Sequence, residues 1–119
     1  MYGLPADFDA AFFISKELEQ VCFSQNQMSL HFADDITVTI EGAFSYDSPN
    51  HEFQSEMEEP PVSHSSIMQS LGHRVVIASG DSDGTLTLQF DHGATLECHD
   101  NSKTFDSYHI RHGERVITA

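Results

Sequence analysis

The chain has 119 residues, 39% of them hydrophobic, with nine Phe and no Trp, enough to bury one core but not two separate ones, so a single domain over residues 1–119 is expected. Nineteen Asp and Glu stand against five Lys and Arg, a formal net charge of −14, which argues against a nucleic-acid surface and favours cationic partners. No stretch approaches the roughly 20 apolar residues of a membrane span, and Met1 to Asp9 lacks the basic, apolar, small-residue order of a signal peptide, so a cytoplasmic address is expected.

In chain order, Asp9 to Phe13 reads as a short helix. Met28, Leu30 and Phe32 then alternate with Ser29 and His31, a period of two that predicts a strand with one buried face. Asp34-Asp35 is a short hairpin connection, and Ile36, Val38 and Ile40 alternate with Thr37, Thr39 and Glu41 in the returning strand. Residues 45–64, with Pro49, Pro60, Pro61 and the run Glu56-Met57-Glu58-Glu59, read as an acidic connecting loop. Ser65 to Leu71 predicts a second short helix with a serine N-cap and Gly72 as terminator. Asp81 to Gly84 is a turn with Gly placed for positive φ. Leu86, Leu88 and Phe90 repeat the inward pattern, His92-Gly93 is the next hairpin turn, and Thr95 to Cys98 the next strand. A last hairpin pairs Ser107 to Ile110 with Arg115 to Ile117 about His112-Gly113.

Two copies of one unit account for this order. Ile14 to Leu18 parallels Leu71 to Val75 at an offset of 57, and Met28 to Phe32 parallels Leu86 to Phe90 at an offset of 58. The fold expected is mainly β: two repeated antiparallel meander units, about 9–44 and 66–119, packed as a sandwich or partly open barrel with two short helices. Leu30, Phe32, Val38, Leu88, Phe90 and Leu96 are expected in its core.

No basic residue lies between Lys16 and Arg74, an interval holding ten acids. The partner-binding residues expected there are Glu41, Phe44, Tyr46, Asp47, Glu52, Phe53, Glu56, Glu58 and Glu59, the aromatics as exposed anchors for a basic groove or, equally, as a small cluster packed under the loop. Cys22 and Cys98 lie in apolar strand patterns and read as buried thiols. Of eight histidines, His92, His99 and His109 with Cys98 form the obvious ligand pool, but none of the paired spacings of a zinc site is present, so solvated histidines and no metal are expected. Asp34 and Asp35 sit on a turn, where adjacent carboxylates diverge, and no nucleophile elbow, phosphate loop or dinucleotide motif occurs. Neither catalytic residues nor a cofactor is expected.

The segments Ile14 to Cys22, Ile36 to Gly42, Gly84 to Phe90 and Ser107 to Ile110 resemble a bacterial family of small two-repeat β proteins of unknown function, members of which occur as immunity proteins in polymorphic toxin and contact-dependent inhibition loci. The family's glycine before the basic residue is Gly72 in the second copy and Ser15 in the first. The resemblance implies an immunity protein that occludes a basic, nuclease-type toxin domain. The alternative is an acidic interaction module or DNA mimic that inhibits a nucleic-acid-binding protein. Either would be a monomer or weak homodimer with a cationic protein partner, binding neither nucleic acid nor membrane.

Overall fold

A computed structural model of the chain describes residues 8–24, 27–42, 44–47, 66–81, 84–99 and 108–118. Among these residues nine strands form two antiparallel sheets, and the buried residues of the strands, nearly all apolar, face the space between them. The strands are β1 (Leu18–Phe23), β2 (Met28–Phe32), β3 (Ile36–Ile40), β4 (Phe44–Asp47), β5 (Val75–Gly80), β6 (Leu86–Phe90), β7 (Thr95–Cys98), β8 (Tyr108–His112) and β9 (Arg115–Thr118). One sheet runs β1-β2-β3-β8-β9 and the other β4-β7-β6-β5, which makes a two-layer sandwich and not a closed barrel.

Strict alternation sets the layers. β2, β3 and β6 each bury every second residue, and Leu30, Phe32, Val38, Leu88, Phe90 and Leu96 all lie in the core. The two helices are single 3-10 turns. Ala10–Phe13 is capped by Asp9, whose Oδ1 accepts from the Ala11 amide at 2.9 Å, and Ser66–Ser70 precedes β5. Both are too short for the cooperative hydrogen bonding of an α-helix. Ser65, expected as the second cap, lies outside the described residues.

Pairing is reciprocal between the copies. The Ser15 amide bonds the Val75 carbonyl at 2.7 Å and the Gly72 amide the Leu18 carbonyl at 2.9 Å; the Leu18 amide bonds the His73 carbonyl at 2.9 Å and the Val75 amide the Lys16 carbonyl at 3.1 Å. An antiparallel bridge between Glu17 and Arg74 sits at the centre of this exchange. Residue i meets j′ while j meets i′, the signature of a twofold relation. The bulge repeats too, between Leu18 and Gln20 and between Val75 and Ile77. Phe32 and Phe90, equivalent in the two copies, face each other with ring centroids 6.4 Å apart and planes 10° from parallel. Truncating either to Ala removes a buried ring at this centre, at a cost of about 3–5 kcal/mol.

Each copy gives its fourth strand to the other. β4 follows β3 in sequence but pairs with β7, and β8 follows β7 but pairs with β3. The exchange covers an edge of each sheet, which would otherwise present unpaired backbone. It corrects one expectation: residues 45–47 belong to a strand, not to the connecting loop. The last hairpin extends the first copy's sheet. The rest of the expected loop, residues 48–64, lies outside the described residues.

Candidate functional site

With the inner faces filled by the core, chemistry falls to the two outer faces, and the strand registers fix what each presents. On the five-stranded sheet one outward row runs Ser29, Thr39, His109, Thr118 and the next Gln20, His31, Thr37, Arg111, Val116. On the four-stranded sheet the equivalent rows are Ser79, Thr87, Glu97, Ser45 and Ile77, Gln89, Thr95, Asp47. Position by position, Arg111 answers to Asp47 and Thr39 to Glu97. Along these rows the faces share a register, and the four-stranded sheet carries two carboxylates where the five-stranded sheet has Arg111 and Thr39.

The five-stranded face is concave, a shallow depression of about 430 Å³ bordered by Gln27, His31, Glu41, His109, Arg111 and Val116. Hydroxyls and imidazoles tie its rows together: Thr37 Oγ1 with His31 Nδ1 at 3.4 Å, His109 Nδ1 with Thr118 Oγ1 at 3.1 Å, and Ser29 Oγ with Thr39 Oγ1 at 3.5 Å. On the four-stranded face Ser45 Oγ meets His99 Nε2 at 3.1 Å, beside Glu97 and Asp47.

These registers redistribute the expected partner-binding residues. Phe44 and Tyr46 are not exposed anchors. Both are fully buried, because β4 alternates them inward with Ser45 and Asp47 outward, and the Tyr46 hydroxyl meets buried Ser70 Oγ at 2.7 Å. Glu41 borders the concave face and Asp47 lies on the opposite sheet, so the two do not share one patch. Glu52, Phe53, Glu56, Glu58 and Glu59 lie outside the described residues. Of the acids between Lys16 and Arg74, Asp34 has a counter-ion at the interval's edge, since it pairs with Lys16 Nζ.

The obvious ligand pool disperses. Cys98 points into the core, where burial pushes its thiol up to about 12, which leaves it unreactive. Cys22 and Cys98 are both free thiols, Cys98 buried and Cys22 half-buried. His99 turns to Ser45, and His109 is on the other sheet. His112, an odd step from His109, stacks on Phe12 with centroids 4.5 Å apart. His92 instead joins residues that spacing did not connect. Its ring stacks on His73 with centroids 3.9 Å apart, and His73 Nδ1 meets Asp91 Oδ1 at 2.7 Å. The signal that could have found this lies in the repeat: His73 stands where the first copy has Lys16, and Asp91-His92 where it has Ala33-Asp34.

Fold and faces together define a class: a two-layer β-sandwich of two strand-exchanging repeats, with one acidic outer face and one concave face of hydroxyls and imidazoles. The chain belongs to the family of unknown function DUF6188, whose pattern matches residues 12–115. No curated protein and no solved structure gives a significant match. Among the described residues no helix is long and apolar enough to cross a membrane.

Proposed function

We propose that the protein binds a cationic protein partner and, in its specific form, is an immunity protein that covers the phosphate-binding cleft of a basic, nuclease-type toxin domain. The observation that carries the reading is the charge difference between equivalent faces. Asp47 and Glu97 stand on the four-stranded sheet where the five-stranded sheet has Arg111 and Thr39, in a chain of net charge −14. Carboxylates there stand in for phosphates and pair with Lys and Arg of the partner through charge-assisted hydrogen bonds. Inhibition is then occlusion, and the acidic field speeds encounter. The resemblance to a two-repeat family with members in toxin loci supports the choice of a toxin as that partner.

The test is affinity capture from the source organism with the full chain as bait, followed by association kinetics with the captured partner. The expected partner has a basic domain, and its association slows at least tenfold between low salt and 0.3 M salt, as screening requires. Asp47→Asn with Glu97→Gln slows it at low salt, and neutralising Glu56, Glu58 and Glu59 slows it further. Association indifferent to salt and to both sets of substitutions would refute the reading. A captured DNA-binding protein with no toxin activity would keep the cationic partner and discard the immunity role.

A further inference from the structure

We propose that His73, Asp91 and His92 form a binding site for one divalent cation of the zinc class. One donor atom from each residue lies within 4.8 Å of the others. Two imidazoles and a carboxylate are a donor set suited to zinc and its late first-row neighbours and poorly suited to magnesium. Bonds of about 2.0–2.2 Å to a tetrahedral ion hold ligand atoms roughly 3.4 Å apart. Donor pairs that lie within 4.8 Å of one another therefore need to close by up to about 1.4 Å.

Three observations single out this cluster. Both ring nitrogens of His92 are shielded from solvent and have no hydrogen-bond partner among the described residues. A shielded, unpartnered ring nitrogen is costly to fold around, and an ion bound to one of the two removes that nitrogen's share of the cost. The carboxylate is also held from its far side, since the Arg74 amide donates to Asp91 Oδ2 at 3.3 Å while Oδ1 faces His73. Such outer hydrogen bonds orient ligands in metal sites. Finally, the molecule contains its own control. At the equivalent place in the first repeat, Lys16 and Asp34 form a direct ion pair, so a fixed ammonium already neutralises that carboxylate. The second repeat has replaced the ammonium with an imidazole and added another. That exchanges a permanent charge for lone pairs that a cation can take, in a protein whose net negative charge concentrates cations near its surface.

The test uses the full chain stripped with a chelator and titrated with zinc chloride by calorimetry, with the histidine rings followed by nitrogen-15 NMR. The expected result is one ion per chain, with the His73 and His92 rings shifting and those of His31 and His109 unmoved. The melting temperature should rise by several degrees at an ion concentration of about 100 times Kd, and magnesium should do nothing. The decisive variant carries His73→Lys with His92→Asp, which writes the first repeat's pair into the second. It should melt within a few degrees of the metal-free parent and lose at least 100-fold in zinc affinity, and Asp91→Asn alone should lose about tenfold or more, since even an outer-shell partner is worth roughly that much. Absence of saturable binding, equal binding by the double variant, or ring shifts at other histidines would each overturn the proposal.

Discussion

Ser15 shows how the two repeats can be read against each other at the scale of one residue. It adopts φ +70°, and its equivalent Gly72 adopts φ +83°. A left-handed conformation costs a residue with a Cβ about 1 kcal/mol and costs glycine almost nothing. Ser15→Gly is therefore expected to stabilise the protein by up to about 1 kcal/mol, a rise of a few degrees in thermal melting. Gly72→Ala should lower it by a similar amount, and because a Cβ at Gly72 would meet nothing within 4 Å, the loss reports backbone strain and not a clash. Melting temperatures unchanged in both variants would contradict this account. Asp34 makes a second test. Its hydrogen bond to Lys16 and the adjacent ammonium charge hold its carboxyl below the usual value of 3.8. A carboxylate with a depressed folded-state pKa adds stability above its unfolded pKa and loses that stability as pH falls through the folded one. Asp34→Asn should therefore be the less stable protein at pH 7, and the gap should close as acid is added below about pH 4. Urea midpoints across that range measure it, and a gap independent of pH would refute the pairing.

Among the strands, the exchange of β4 and β8 decides how the fold holds together. Neither three-stranded meander, β1 to β3 or β5 to β7, has its full sheet until the other copy supplies a strand, and each has one apolar face that only the other layer covers. Cutting the chain within residues 48–65 should thus give two fragments that are each unfolded by circular dichroism and that regain the strand signal when mixed in equal amounts. A first fragment that folds cooperatively by itself would show that β8 and β9 are dispensable to its sheet. The bulges at Leu18/Gln20 and Val75/Ile77 lie in β1 and β5, the outermost strands beside the crossing point, where an extra residue sharpens the twist and turns one sheet edge towards the other. The exposed bulge positions differ: Glu19 and Gln20 in the first copy, Val76 and Ile77 in the second. Charge keeps an edge strand from pairing with another chain, so only the first copy carries that protection.

Over the whole molecule, one sign of charge dominates. At a net charge of −14, self-repulsion favours the expanded chain, and salt relieves it within a Debye length of about 10 Å at 0.1 M. The melting temperature is expected to rise as sodium chloride goes from 10 mM to 200 mM, the opposite of what a fold held by surface ion pairs would do. A flat or falling curve would mean that pairs such as Lys16 with Asp34 outweigh the repulsion. This salt response of the free protein has the reverse sign to that of its binding to a cationic partner, so the two effects separate cleanly in experiment.

Period-two alternation and the 57–58-residue offset determine the strands, their inward residues and the doubling of the unit, because side chains in a strand alternate with the backbone itself and no distant contact is needed to read them. The hairpin turns follow from local preferences of Asp and Gly in the same way. What the sequence could not settle is which sheet β4 and β8 join, since strand pairing between copies is a choice among edges of similar chemistry and local pattern is blind to it. That choice buries Phe44 and Tyr46, places Asp47 opposite Thr95 and Arg111 opposite Thr37, and so divides the acidic face from the imidazole face. His73 and Asp91 are 18 residues apart, and the antiparallel pairing of β5 with β6, Val75 opposite Phe90, sets them side by side. The turn at residues 81–84 marks that hairpin but does not fix its bulged register, so the cluster with His92 is decided by the pairing itself.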